Sequence, residues 1–167
     1  MGYEIAGGLG VKLAMPDREV WVVVGDGSYL MMNSEIATSV MLDKKLNIVV
    51  LDNNGFGCID RLQRSCGCAS FNNLFANGSD IDFAGHAASL GAISRKVASL
   101  AELERALPEA RAERRTSVIV IATDPTASTD EGGAWWDVAV PEVSRRAEVA
   151  LARAAYDAAR SQQRFTS

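Results

Sequence analysis

Two short segments of this 167-residue chain carry residue types that could do chemistry together: Gly25-Asp26-Gly27-Ser28 and Asp52-Asn53-Asn54-Gly55. Asp26 offers a hard carboxylate. Asn53, or its neighbour Asn54, offers a neutral amide oxygen, and Gly55 offers a backbone carbonyl with no side chain in its way. An all-oxygen set of this kind suits Mg²⁺, which takes few protein ligands and completes its octahedron with phosphate oxygens and water. Gly25 and Gly27 let the backbone approach a phosphate closely. A helix opening near Ser28 would aim its N–H groups and positive dipole end at the same place. One segment thus supplies a cation ligand and an anion cradle. Taken singly, each segment is also a good turn sequence. A nicotinamide fingerprint is poorly matched, because Gly25-x-Gly27 is followed by Leu30 where a third glycine belongs, and no Walker A lysine pattern occurs.

The elements that must position these segments alternate along the chain. Val20 to Val24 is a continuous apolar run that suits a central parallel strand, and it stops at Gly25-Asp26-Gly27. Leu46 to Leu51 is a second such run and stops at Asp52-Asn53-Asn54-Gly55; Ser117 to Ala122 is a third, and Ala92 to Val97 a weaker one. Between them, residues 3–14 suit a closely packed helix, and Leu30, Met31, Ile36, Val40 and Met41 recur at helical spacing. Asp82 to Leu90 is expected to be a short helix stopped by Gly91. Ser99 and Glu102 form a capping box opening a helix through about Arg114. An Ala-rich helix is expected from about Pro141 to Arg160. The stretch from Gly55 to about Asp80 is expected to be irregular, with 61–79 ordering on ligand or partner binding. Alternating strands and helices imply an α/β fold with a doubly wound, mainly parallel sheet flanked by helices. In such sheets ligands sit at the carboxyl ends of the strands, where both segments fall. Residues 1–134 are expected to form this α/β domain, with 135–167, the Trp135-Trp136 segment and the last helix, packing on the same domain.

A formal net charge of −4 argues against nucleic-acid binding as the main task. No apolar stretch is long enough to span a bilayer, and Met1-Gly2-Tyr3-Glu4 lacks the basic start of a signal peptide, so a cytoplasmic location is expected. The three cysteines, Cys58, Cys66 and Cys68, make a poor disulfide framework and suit free thiols in a reducing compartment. The sole histidine, His86, is expected to be structural rather than catalytic, and Arg111, Arg114 and Arg115 to form a solvated helix end.

Gly-Asp-Gly, then a helix and a strand, then Asn-Asn, resembles the signature of thiamine-diphosphate enzymes. The resemblance runs essentially from end to end. It implies the thiamine-diphosphate-binding fold, with Mg²⁺ held by Asp26, Asn53 and the Gly55 carbonyl, and thiamine diphosphate held through that metal. It prefers Asn53 to Asn54 because the ligand follows the position of Asp52. It further implies that Gly25, Gly27, Ser28, Asn54, Phe56 and Cys58 lie around the cofactor, and that Met1 props it into a bent shape. Within the superfamily, Phe56-Gly57-Cys58-Ile59, Asp82-Phe83-Ala84, Trp135-Trp136-Asp137-Val138 and Pro141-Glu142-Val143-Ser144 are similar to hydrolases that open a cyclic, polyol-derived 1,2-diketone in inositol catabolism. Acetolactate-synthase-like and 2-oxoacid decarboxylase modules share the metal motif, and a solitary non-catalytic diphosphate-binding domain is a third reading. The family's activating Glu comes from a pyrimidine-binding domain, often on a partner subunit. The chain is therefore expected to act as the C-terminal part of a larger chain or complex, a homo-oligomer, and to be inactive alone.

Overall fold

A computed structural model describes residues 1–75, 81–127 and 137–163. The chain divides into two compact units: residues 1–56 with 77–125, and residues 57–76 with 126–167. The expected boundary at 134/135 and the Trp135-Trp136 pair lie outside the described residues.

The first unit contains α1 (Glu4–Ala14), β1 (Trp21–Gly25), α2 (Asp26–Met31), α3 (Glu35–Met41) and β2 (Asn47–Asp52). The second unit's α4 (Gly57–Ser65) follows in the chain. The first unit then resumes with α5 (Phe83–Ser89), β3 (Ile93–Val97), α6 (Leu100–Ala112) and β4 (Ser117–Ala122). Its four strands form one sheet in the order β1-β2-β4-β3, every pair parallel. Parallel strands need long crossovers, and the helices that supply them cover both faces. On one face Val22, Val24, Ile48, Val50, Val118 and Val120 pack against α1, α2, α3 and α5 through Ile5, Leu9, Tyr29, Ile36, Phe83 and Ala87. On the other, Val49, Val97, Ile119 and Ile121 pack against α6 through Ala106 and Ala110. Burying each larger aliphatic side chain contributes roughly 1.5–3 kcal/mol. This is the doubly wound parallel sheet expected from the alternation.

Caps behave as the sequence suggests. Asp82 accepts the Gly85 N–H at 2.8 Å at the start of α5, and Gly91 takes φ +92° just past its end. Ser99 accepts the Glu102 N–H at 3.2 Å, while Glu102 reaches back to the Ala98 N–H at 2.8 Å. Other expectations need correction. The helical spacing from Leu30 to Met41 belongs to two helices, because the chain turns at Asn33, whose carbonyl accepts the Ile36 N–H at 3.1 Å. Residues 57–65 are a helix rather than irregular, and the last helix starts at Ala147, not near Pro141. The apolar run of β1 suggested a central strand. Among the described residues β1 is an edge strand, with Trp21 37% and Val23 60% exposed.

The second unit contains α4 and α7 (Ala147–Ser161). Cys66, Val140, Val149 and Tyr156 form its small core. Gly67, at φ +77°, lies so close to the Glu148 backbone that no side chain fits there. The Tyr156 hydroxyl donates to Asp137 at 2.8 Å, and buried Asp60 accepts from the Ser70 hydroxyl. All three cysteines are free thiols.

Candidate metal and diphosphate site

The two segments singled out above leave neighbouring strands at the same end of the sheet. Gly25 pairs with Leu51 in the β1–β2 register, so Asp26 and Asp52–Gly55 emerge side by side. Asp26 is fully buried, at 0% exposure. Its Oδ2 accepts the Gly55 N–H at 2.7 Å. Burial is the largest influence on its carboxyl and pushes its pKa above the ordinary carboxylate range. The Gly55, Gly27 and Asn53 N–H groups oppose this, and the nearby Asp52 charge adds to it.

The other oxygen, Oδ1, faces the Asn53 amide. The inward atom of that amide lies 2.9 Å from Asp26 Oδ1 and 2.9 Å from the Gly55 carbonyl oxygen. With the amide oxygen inward, it faces two other acceptors. Turned over, the amide NH₂ donates to both neighbours instead. Both states are chemically sensible. Octahedral Mg²⁺ with ligands at 2.0–2.1 Å places adjacent oxygens about 2.9 Å apart. The oxygen-inward state therefore has the spacing of adjacent ligands on one small hard cation, and the turned state satisfies the same atoms without one. The donor set fits Mg²⁺ in its chemistry, and the Asn53 amide stands at adjacent-ligand spacing from each of the other two oxygens. Among the described residues no cluster of three His, Cys, Asp or Glu side chains forms a competing metal site.

Local backbone geometry makes this convergence possible. Asn54 and Gly55 take φ +69° and +130°, so the loop doubles back after Asp52, whose Oδ1 accepts the Asn54 N–H at 3.3 Å. A non-glycine residue resists the Gly55 conformation. Gly27 is needed for a different reason. A Cβ there would stand 2.7 Å from the Phe56 ring and 3.0 Å from the Gly55 oxygen. A Cβ at Gly25 would meet nothing within 4 Å. Ser28 is buried beside Gly27 in α2.

The expected site residues thus separate into groups. Asp26, Asn53 and Gly55 come together, with Gly27 and Phe56 packed against them. Asn54 serves the turn, and Asn53 is the amide turned inward. Met1 is 58% exposed, next to Gly2, which packs against Met31 at the far end of α2. Cys58 is an exposed residue of α4 in the second unit.

One contact escaped sequence reasoning. The hydroxyl of Tyr29, fully buried, lies 2.8 Å from His86 Nδ1, and its ring packs edge-on against Phe83. His86 therefore ties α5 to the helix that carries Asp26 and Ser28. The two residues stand 57 positions apart, and no local spacing announces the pair. Burial pushes the Tyr29 pKa up to about 12.

Comparisons with known proteins identify the family of the chain. The family described as "Thiamine pyrophosphate enzyme, C-terminal TPP binding domain" matches residues 1–121. The 3D-(3,5/4)-trihydroxycyclohexane-1,2-dione hydrolase 2 of Bacillus cereus is 42% identical over 168 residues, covering 94% of this chain and 26% of that protein. The corresponding hydrolase of Bacillus licheniformis is 41% identical over 153 residues, covering 89% of this chain and 24% of that protein. The chain thus spans about a quarter of the length of these relatives. The fold also matches a Rhodococcus jostii RHA1 thiamine diphosphate-dependent 4-hydroxybenzoylformate decarboxylase, with TM-score 0.69 and 23% identity over 74% of this chain and 23% of that one. With 121 of its 167 residues matched, this chain belongs to the family of C-terminal, thiamine pyrophosphate-binding domains of thiamine pyrophosphate enzymes.

Proposed function

We propose that this chain is the Mg²⁺- and diphosphate-holding module of a hydrolase that opens the ring of trihydroxycyclohexane-1,2-dione by C–C cleavage in inositol catabolism. The observation that carries the reading is the 2.9 Å meeting of Asp26 Oδ1, the Asn53 amide and the Gly55 carbonyl. The named activity of relatives at 41–42% identity supports the substrate.

Asp26, Asn53 and Gly55 hold the metal ion, leaving its remaining positions to diphosphate oxygens and water. Gly25 and Gly27 keep the strand tip bare, and Ser28 supplies a hydroxyl toward the phosphate. Phe56 braces Gly27, while Asn54, Met1 and Cys58 line the surroundings of the cofactor. When bound, thiamine diphosphate supplies the electron sink for carbon–carbon cleavage. The chain's own residues hold and orient that group, an effect that lowers the entropic part of the barrier. The residue that activates the cofactor belongs to a pyrimidine-binding domain in the rest of the protein or on a partner subunit. Activity accordingly needs the larger, homo-oligomeric enzyme, and the isolated chain is inactive. Three free thiols favour a reducing, cytoplasmic setting. Among the described residues no helix is long and apolar enough to cross a membrane.

Calorimetry on the full-length enzyme with thiamine diphosphate, in the presence and absence of Mg²⁺, tests the binding reading. Product analysis with the cyclic diketone and with pyruvate tests the substrate. Metal-dependent binding and a ring-opened acid are expected. Metal-independent binding, or turnover of the 2-oxoacid alone, overturns the corresponding part.

A further inference from the structure

Helix α2 carries Asp26, Gly27 and Ser28 in its first turn, yet it has little of its own to hold it in place. It is six residues long, Gly25 gives it no side-chain cap, and no basic residue stands in its last turn. A helix this short is not stable by itself, so packing must set its rotation and tilt. Leu30, Met31 and Met32 at its far end are exposed. The grip therefore falls to Tyr29. Tyr29 follows Asp26 by three residues, and residues three apart share a helix face. Both side chains are fully buried. A rotation of α2 that moves the Tyr29 ring moves the Asp26 carboxylate with it.

Two contacts hold that ring from the side. It packs edge-on against Phe83 with centroids 5.5 Å apart, and its hydroxyl lies 2.8 Å from His86 Nδ1. Both partners belong to α5, which is anchored independently. Asp82 caps that helix, Phe83 and Ala87 are buried in the core, and the Ser94 hydroxyl on β3 donates to the Ala84 carbonyl at 2.6 Å. His86 is the one hydrogen-bond partner of the Tyr29 hydroxyl among the described residues. A buried hydroxyl proton needs an acceptor. Tyr29 accordingly donates and Nδ1 accepts, which puts the imidazole proton on Nε2. Apolar packing is non-directional, whereas this hydrogen bond fixes the end of the ring at one point. His86 itself is exposed, so replacing it opens no cavity in the core.

We propose that His86 is a positioning residue for the metal and diphosphate site: through Tyr29 it holds α2 so that Asp26 keeps the spacing a small cation requires. This role presupposes the Mg²⁺ reading of Asp26, Asn53 and Gly55. Magnesium demands near-ideal octahedral geometry, with ligands at about 2.0–2.1 Å, and tolerates little displacement. Asp26 arrives on α2, while Asn53 and Gly55 arrive on the loop after β2. The three oxygens share one ion only while α2 stays in register with that loop. When the tether is cut, the ligand itself must order α2, and its affinity falls by that amount.

The test uses the full-length enzyme. By calorimetry, His86→Ala and Tyr29→Phe are each expected to weaken Mg²⁺-dependent thiamine diphosphate binding about 5- to 10-fold, the worth of one hydrogen bond. The double variant should be no weaker than either single one, because both remove the same bond. His86→Asn keeps an amide acceptor near the Nδ1 position and is expected to return affinity to within about twofold. In the cofactor-free protein, His86→Ala should quicken amide exchange in α2 about 5- to 10-fold and leave α6 unchanged. Thr116→Val, at the opposite end of the sheet, controls for general destabilisation and should leave affinity unchanged. Parent-like binding by His86→Ala, with binding lost in Asp26→Asn, overturns the positioning role and spares the metal reading. Equal affinity losses in His86→Ala and Thr116→Val, or no recovery in His86→Asn, also overturn it. Binding that ignores Mg²⁺ in the parent overturns the metal reading itself, and the positioning role with it.

Discussion

The two ends of the sheet solve the problem of buried polar atoms in opposite ways. At the amino end, the Thr116 hydroxyl lies 2.8 Å from the Ser39 hydroxyl and accepts the Leu46 N–H at 3.1 Å; Ser39 in turn donates to the Ile36 carbonyl at 2.7 Å. Lys45 crosses to the Arg111 and Glu113 carbonyls at the end of α6. Donors and acceptors there find each other, apart from Asn47 Oδ1, which is enclosed with no partner among the described residues. At the carboxyl end, a fully buried carboxylate, an amide and a carbonyl converge on one another, and no cationic side chain neutralises the carboxylate among the described contacts. An end that satisfies itself contributes stability. An end whose acceptors face inward gains most from a ligand, because a buried charge without a counter-charge is costly.

Substituting the carboxylate should separate these roles most sharply. Asp26→Asn is expected to weaken Mg²⁺-dependent thiamine diphosphate binding by about 100-fold or more, roughly 2.7 kcal/mol. It should leave the cofactor-free protein as stable as the parent or more so, because a neutral amide replaces a buried charge. Calorimetry and thermal melts read the two effects; equal losses in both would erase the contrast between the ends. Gly27→Ala comes next. Its methyl group must displace the Phe56 ring, destabilising the protein by about 1–3 kcal/mol and weakening cofactor binding, with Phe56→Leu partly restoring both. Undiminished affinity would mean that the two loops need not touch.

At the opposite end, Thr116→Val strands the Leu46 N–H and one partner of Ser39. A loss of about 1–3 kcal/mol in denaturant unfolding is expected, with cofactor affinity unchanged. A change in affinity would show that this end also serves the site. The smallest effect belongs to the Tyr29–His86 pair. Tyr29→Phe and His86→Ala should each cost about 1 kcal/mol, with a double mutant little worse than either single one. Because the Tyr29 hydroxyl is raised from 10 to about 12, the stability it confers is fully present below pH 10 and is lost as pH rises through 12. Tyr29→Phe should flatten that part of the unfolding profile, and an identical alkaline slope in both proteins would remove Tyr29 as its source.

How much of this was legible in the sequence follows from range. Apolar runs at Val20–Val24, Leu46–Leu51 and Ser117–Ala122, together with caps at Asp82 and Ser99, are local signals, and they located three of the strands and two of the helices. The candidate ligand types were legible too, because Asp26 and Asn53 each stand two residues past the end of such a run. Helix α4 was hidden behind Gly57, Cys58 and polar neighbours, whose propensities are weak outside their packed setting.

The residues by themselves determined the element types and the chemistry available at two strand tips, since both depend on near neighbours in the chain. Only the tertiary structure decided that those tips are adjacent, that Gly27 must lack a side chain, and that Tyr29 meets His86. Each of these depends on atoms brought together from distant parts of the chain by pairing β1 with β2 or by packing helices on the sheet. The same distinction explains β1: its apolar run sets it as a strand, while its place at the edge of the sheet among the described residues follows from which strands pair.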